Sequence, residues 1–263
     1  MKKISPLILL LLLAPVLAGA GDFTNGRWVD LSYDYSEDTI YWPTADTFVK
    51  TTVFHGHTDA GFFYTAYNFC SAEHGGTHID APIHFHENRN TVDQVPVEQL
   101  VGPGVVIRVS DKADKDRNYQ LSVEDIRNWE DSHGPLPENS IVLVDTGSGK
   151  YWPDKKLYMG TDERGEEAVQ KLRFPGIHPE AAKFLATERR IKAVGIDTPS
   201  IDFGGSKLFE THQFLFDRNI PGLENVANLD RLPDKGFTII ALPMKIRGGS
   251  GGPVRIVAFI PGD

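Results

Sequence analysis

The stretch from Glu73 to His86 limits the fold more than any other part of the chain, because it combines possible metal ligands with residues that interrupt helices. It holds four side chains that bind divalent metals or transfer protons beside them: His74, His78, Asp80 and His84. Neutral imidazole and carboxylate suit zinc, manganese or iron(II). The stretch therefore predicts a metal centre in a non-helical segment. The alternative interpretation is a solvated loop rich in Gly and Pro, with unrelated histidines.

The spacing favours a turn followed by a short extended segment. Two histidines four residues apart can share one face of a helix, but the paired glycines disfavour a helix and Pro82 would interrupt it. In an extended segment, side chains two residues apart point the same way, which directs His78 and Asp80 to one point. A turn at 75–76 can bring His74 to the same point. Three ligands with open positions are typical of a catalytic rather than a structural metal.

The same stretch resembles the signature of the metal-dependent cyclase and bacterial kynurenine formamidase family, which includes isatin hydrolases. The pattern His-x-Gly-Thr-His-x-Asp-x-Pro-x-His-Phe is matched in full from His74 to Phe85. The resemblance implies the swivelling β/β/α fold of the family and a homodimer or homotetramer. It also implies a small-molecule substrate, either an aryl formamide such as N-formylkynurenine or a cyclic amide such as isatin.

A second region gains meaning from this resemblance. Taken alone, His212 and Glu224 are a His and a Glu twelve residues apart, and they indicate little. In the family, a helix His and a Glu after an Ile-Pro turn complete a second metal position, and these two residues match them. Asp80 would then bridge two ions. Isatin hydrolase-like members work with one metal, so we expect one or two ions of Zn²⁺ or Mn²⁺ per subunit.

The remaining pattern predicts one α/β (or α+β) domain over residues 21–263. Strand-like runs dominate, including 104–109, 140–147 and 254–260, and three or four helices are expected. One helix is predicted to begin after Ser122, with Asp125 completing a capping box. The extended segments 48–54 and 62–69 predict a hairpin with His55-Gly56-His57 in its turn.

Residues 1–20 predict a signal peptide, and therefore an exported protein that is periplasmic or secreted in a bacterium. Lys2 and Lys3 precede the apolar run 7–13, and Ala18-Gly19-Ala20 offers a cleavage site. An uncleaved anchor is the alternative, although the run is short for a membrane span. After cleavage we expect no membrane association. The net charge of −9 argues against a nucleic-acid partner.

Several further residues are candidates for supporting roles. Trp42 is predicted to contact substrate or to pack in the core. Asp197 and Ser200 lie in a Gly-Ile-Asp-Thr-Pro-Ser segment that resembles the family, and we expect them to orient the metal ligands from behind. The single cysteine, Cys70, has apolar neighbours and is predicted to be buried and inert. The glycine-rich run 247–252 is interpreted as a hairpin or a loop near the pocket.

These expectations converge on hydrolysis of a non-peptide C–N bond. His74, His78 and Asp80 would hold an ion that activates water. His84, which is not assigned as a ligand, would carry a proton to the leaving atom. Two alternatives stay open at this point: a lactone hydrolase that uses the same metal site, and a non-catalytic metal-binding protein of the periplasm.

Overall fold

The described part of the chain is residues 23–262 of a computed structural model, so the predicted signal peptide lies outside the described residues. The strands are β1 (Gly26–Asp30), β2 (Val49–His57), β3 (Phe63–Cys70), β4 (His78–Asp80), β5 (Val101–Arg108), β6 (Gln120–Leu121), β7 (Ile141–Asp145), β8 (Gly176–Ile177), β9 (Ala193–Ile196), β10 (Gly222–Glu224), β11 (Lys235–Pro243) and β12 (Gly251–Pro261). The α-helices are α1 (Ser110–Ala113), α2 (Val123–His133), α3 (Lys155–Met159), α4 (Glu166–Val169), α5 (Pro179–Thr187) and α6 (Glu210–Phe216). Within residues 23–262, none of the helices has the length and apolar character needed to cross a membrane.

The main sheet has eight strands in the order β1-β12-β11-β5-β7-β9-β10-β4. Strand β4 also pairs with β12, so seven strands form a closed, barrel-like ring and β1 extends it beside β12. Strands β5, β7, β9 and β10 run parallel to one another, and the other pairings are antiparallel. This mixed architecture confirms the predicted α/β class.

Alternating side chains of the parallel strands fill two hydrophobic cores. Along β7, Ile141 and Leu143 belong to one core, while Val142 and Val144 belong to the other. The first core takes a buried side chain from each strand of the ring, so it is the interior of the barrel. The second core lies between the outer face of the parallel strands and the helices α2, α5 and α6. A strand that is covered on both faces has a continuous run of apolar residues, which is why β7 could be predicted from the sequence.

Helix α2 begins as the sequence predicts. The Ser122 hydroxyl accepts a hydrogen bond from the backbone N–H of Asp125, and the Asp125 carboxylate accepts one from the backbone N–H of Ser122. This reciprocal pair satisfies two backbone donors that the first helical turn leaves free. The apolar side of the helix, Ile126 and Trp129, packs into the second core.

Strands β2 and β3 form a separate two-stranded ribbon outside the barrel. The prediction that His55-Gly56-His57 forms the turn is wrong, because these residues continue β2 and the turn spans 58–62. The prediction that Cys70 is buried is also wrong, since its side chain is exposed. Its apolar neighbours face outward on the ribbon instead of packing into a core.

We predict that Ser122→Ala lowers the free energy of unfolding by about 1 kcal/mol, the usual cost of losing an N-cap hydroxyl. Urea denaturation followed by circular dichroism measures the change. Ser132→Ala is the matched control, because Ser132 is an exposed serine of the same helix that bonds only the carbonyl of Asn128. Equal losses for the two variants would contradict a specific capping role.

Candidate metal centre

Strand β4 carries two of the predicted ligands, and the sheet fixes their direction. His78 and Asp80 point to one side of β4, and Ile79 points into the barrel core. The preceding turn uses Gly76 at φ +58°, a left-handed conformation that favours glycine. The short extended segment expected from the sequence is therefore present, and the turn brings His74 back toward the strand.

His74, His78 and Asp80 form the first group of possible ligands. The His74 Nδ1 atom lies 2.7 Å from Asp80 Oδ1, and His78 Nε2 lies 3.1 Å from the same oxygen. His78 and Asp80 are buried, whereas the His74 side chain is 23% exposed. The three atoms are close enough for one ion to touch all of them.

Asp80, His212 and Glu224 form the second group. The register of β10 against β4 places Glu224 directly opposite His78. Helix α6 supplies His212, whose Nε2 lies 3.3 Å from Asp80 Oδ2 and 3.1 Å from Glu224 Oε1. The two oxygens of Asp80 thus serve different groups, as a carboxylate that bridges two ions does.

The donors and acceptors in these groups fit a cation. His78 Nδ1 donates to the carbonyl of Gly76, so the neutral ring would present the lone pair of Nε2 to the cluster, and that buried atom has no hydrogen-bond partner. His212 Nδ1 lies 2.6 Å from a carboxylate oxygen of Asp202, which leaves the His212 Nε2 lone pair directed inward. In this buried space, imidazole lone pairs and carboxylates face one another. Burying them without a compensating positive charge would be costly. A divalent metal supplies it.

The charges of the groups shift their protonation strongly. Burial alone would lower the pKa of His212, but the carboxylates of Asp202, Asp80 and Glu224 raise it well above its usual value. Burial would raise the pKa of Asp80, yet the surrounding histidines lower it well below its usual value. The pKa of Glu224 is raised by burial and by the charge of Asp80. Negative charge therefore dominates the cluster. Without a metal ion, this charge keeps protons bound to His212 and Glu224.

His84 lies at the rim of the cluster, at the end of a short 3-10 helix over Pro82–His84. Its ring stacks on that of His74, with centroids 3.8 Å apart, and its Nε2 lies 3.9 Å from Asp80 Oδ2. Burial lowers the pKa of His84 to about 4, against the opposing charge of Asp80. The imidazole is therefore neutral near pH 7.

Sequence reasoning missed the residues that orient two of the histidines. The carboxylate of Asp202 accepts the backbone N–H of His212 as well as its ring N–H. On the other side, Ser250 Oγ lies 2.8 Å from His74 Nε2 and donates to the carboxylate of Glu73. Carboxylates commonly orient metal-binding histidines in this way. No local pattern marks these contacts, because Glu73 and Ser250 are 177 residues apart.

A cavity of about 330 Å³ opens over the two ligand groups. Trp42 and Ser200 both line it, and Trp42 also packs edge-on against Phe174. The other wall residues are mostly apolar and include Ile40, Tyr41, Phe85, Pro199 and Phe209. The cavity suits a small ligand with an aromatic or apolar body.

The structure places Asp197 away from the ligand groups. Its carboxylate accepts the backbone N–H groups of Thr146 and Ser148 and caps the turn after β7. Burial and the charge of Asp145 raise its pKa to about 6. The glycine-rich run 247–252 lies beside the site through Ser250, consistent with its interpretation as a loop near the pocket.

The fold and the site define the class of protein: a mixed α/β barrel with two carboxylate–histidine groups under one apolar cavity, as in a hydrolase. Residues 29–203 match the model of the family described as "Putative cyclase", and the chain belongs to that family. It is 32% identical over 213 residues to an isatin hydrolase of Roseibium aggregatum, covering 78% of each chain. It is 30% identical over 238 residues to a kynurenine formamidase of Bacillus cereus, covering 89% of this chain and 97% of that protein.

A solved structure of isatin hydrolase A from Ralstonia solanacearum has the same fold. The TM-score is 0.82 at 30% identity, and the match covers 99% of this chain and 100% of that chain. Together these similarities confirm the resemblance stated from the sequence, and they confirm that the chain is an enzyme of the hydrolase type.

We predict that Asp202→Asn weakens metal binding at the Asp80–His212–Glu224 group by about 10- to 100-fold. An amide has one acceptor oxygen, so it cannot replace both carboxylate oxygens that receive the N–H groups of Thr211 and His212. Titration calorimetry with Mn²⁺ or Zn²⁺ measures the affinity. The His74–His78–Asp80 group should keep its affinity.

Asp197→Asn is the matched control, because Asp197 is an equally buried aspartate that bonds a distant turn. We expect this variant to lose stability and to retain metal affinity. If it lost metal as Asp202→Asn does, the assignment of Asp202 as the residue that orients His212 would be wrong.

Proposed function

We propose that this protein hydrolyses a non-peptide C–N bond in a small aryl formamide or cyclic amide, of the N-formylkynurenine or isatin type. The observation that carries the proposal is the position of Asp80, whose two oxygens belong to two ligand groups at the floor of an apolar cavity. The relatives named isatin hydrolase and kynurenine formamidase support this choice of bond.

The metal ligands are His74, His78 and Asp80, with His212 and Glu224 completing a second position next to Asp80. Imidazole and carboxylate favour Zn²⁺ or Mn²⁺ among the biological divalent ions. When bound, such an ion supplies Lewis-acid polarisation of a carbonyl and a water molecule of lowered pKa.

The residues of the chain bind and orient the substrate. The aromatic walls of the cavity, Trp42, Phe85 and Phe209, fit an aryl ring and exclude bulk water from it. A ring held there lies over the two ligand groups, within reach of a carbonyl attached to it. The cavity is close to the lower limit of usual small-molecule sites, which range from about 300 to 1,000 Å³, so it favours a compact substrate.

His84 moves the proton. Its neutral imidazole accepts a proton at Nε2 from the attacking water as the new C–O bond forms. It then delivers that proton to the nitrogen as the C–N bond breaks, which gives a carboxylic acid and an amine from a formamide, or one ring-opened amino acid from a cyclic amide. Stacking on His74 holds the ring in place for both transfers.

We also propose that the protein works outside the cytoplasm. The support is the order of a basic start, an apolar run and a small-residue cleavage site in residues 1–20. An exported enzyme meets a different set of amides from a cytoplasmic one. A substrate panel should therefore include formamides, lactams and lactones.

We predict that His84→Ala keeps its bound metal and lowers kcat by about 10²- to 10⁴-fold, the usual contribution of a positioned proton carrier. Metal analysis together with steady-state kinetics tests both parts. His86→Ala is the matched control, because His86 lies two residues further on, pairs with Asp217 and is outside the cavity lining. Retained activity in His84→Ala would exclude the proposed proton carrier.

We predict that a chelator abolishes hydrolysis, that Zn²⁺ or Mn²⁺ restores it, and that the restored enzyme prefers amides. The measurement is kcat/KM on N-formylkynurenine and isatin beside aryl lactones of similar size. Fast lactone turnover without amide turnover would replace the proposed bond with C–O. Tight metal uptake without turnover of any panel member would indicate a metal-binding protein.

A further inference from the structure

Asn225 directly follows the proposed metal ligand Glu224, and its backbone has a conformation that few residues adopt. Its φ is +52°, in the left-handed region, and its side chain is buried. No step of the proposed reaction uses this asparagine. A buried amide needs hydrogen-bond partners, so the partners of Asn225 indicate what it does for the site.

The side chain of Asn225 links helix α3 to the glycine turn before β4. The hydroxyl of Tyr158 donates to Asn225 Oδ1 at 2.9 Å, which directs the amide nitrogen the other way. Asn225 Nδ2 donates to the carbonyl of Gly76 at 2.7 Å. The same carbonyl accepts the ring N–H of His78 from Nδ1, 3.0 Å away. Asn225 and His78 therefore meet at one carbonyl oxygen.

These two hydrogen bonds use both lone pairs of the Gly76 carbonyl and fix its direction. The carbonyls on either side, of Gly75 and Thr77, are held separately, because each lies 2.8 Å from the hydroxyl of Tyr35. Gly76 is buried, so loss of the Asn225 amide would leave one lone pair of its carbonyl unpaired and free this peptide to tilt. The direction of the carbonyl that binds His78 therefore depends on Asn225.

We propose that Asn225 is a positioning residue for His78, an inference that rests on the proposed metal site. Asn225 fixes the carbonyl of Gly76, and this carbonyl keeps a proton on His78 Nδ1. The Nε2 lone pair of the neutral ring then faces oxygens of Asp80 and Glu224, at 3.1 and 3.4 Å. The hydrogen bond made by one ring nitrogen of a histidine decides which nitrogen is left to bind a metal.

The backbone of Asn225 has anchors of its own, so its side chain can be tested separately. The backbone N–H of Asn225 donates to the carbonyl of Thr198 at 2.9 Å. Its backbone carbonyl accepts the hydroxyl of Thr77 at 2.7 Å. Glycine adopts the left-handed conformation without strain. Asn225→Gly should therefore keep the path of the chain, and with it the position of Glu224.

Titration calorimetry of Asn225→Gly with Zn²⁺ tests the proposal. We expect binding at the first ligand group to weaken by about 10-fold, the lower end of the usual effect of losing an outer hydrogen bond. Asn228→Gly is the matched control, because Asn228 has φ +55° and its Nδ2 donates to the carbonyl of Asp30, outside the cavity lining. The control should bind zinc as the native protein does.

Nitrogen-15 NMR of the zinc-loaded protein gives a readout that a general loss of stability would not reproduce. In the native protein we expect a proton on His78 Nδ1 that exchanges slowly with water, because a buried carbonyl binds it. In Asn225→Gly this proton should exchange faster while the backbone amides of β7 keep their native rates. Faster exchange of both would indicate destabilisation of the whole fold and would overturn the positioning role.

Tyr158→Phe takes the place of Asn225→Gly if that variant does not fold. It removes only the hydroxyl that directs the Asn225 amide, so we expect the same two changes at smaller size. Native zinc affinity with a native His78 proton, in whichever variant is used, overturns the role of Asn225 and leaves the metal site intact. A native protein that binds no zinc overturns the metal site, and this inference with it.

Discussion

The pairing of β4 between β10 and β12 is the constraint on which the site depends. This strand has three residues, and both of its edges are hydrogen-bonded within the barrel. Its middle residue, Ile79, is anchored in the core, so His78 and Asp80 cannot turn away from the cavity. A ligand pair held by a closed sheet is more rigid than one on a loop, and metal binding needs that precision. The register with β10 then fixes Glu224 opposite His78.

Part of this arrangement could be predicted because its causes are local. The glycine turn, the two-residue repeat of His78 and Asp80, and the break at Pro82 all act within ten residues of each other. Simple backbone geometry therefore describes them. Strands such as β7 could be recognised for a similar reason, since burial on both faces leaves a continuous apolar run. The α2 cap depends on a spacing of three residues.

The remaining parts of the site depend on tertiary contacts, which no local sequence pattern indicates. His212 and Glu224 could be placed only through the family resemblance, because helix packing and sheet register bring them to Asp80. The role of Asp202 in orienting His212 could not be predicted, because it depends on the position of α6. The position of Asp197 after β9 suggested that it orients metal ligands. Its carboxylate instead accepts hydrogen bonds from the backbone of the turn after β7. Cys70 shows that apolar neighbours in the sequence do not suffice to predict burial. They indicate a buried residue only where the strand lies in a core.

The side chains of the site fall into a buried set of four and a more exposed pair of histidines. Asp80, His78, His212 and Glu224 are buried, which raises the cost of any unpaired charge among them and makes a cation in their midst strongly favourable. His74 and His84 stack at the more open side, where a proton can be exchanged with solvent or substrate. Four of the five residues proposed to hold an ion are therefore buried, and the fifth, His74, is partly exposed beside the residue that moves a proton. The buried ligands lie on β4, β10 and α6, and His84 lies at the rim, at the end of the short helix that begins with Pro82.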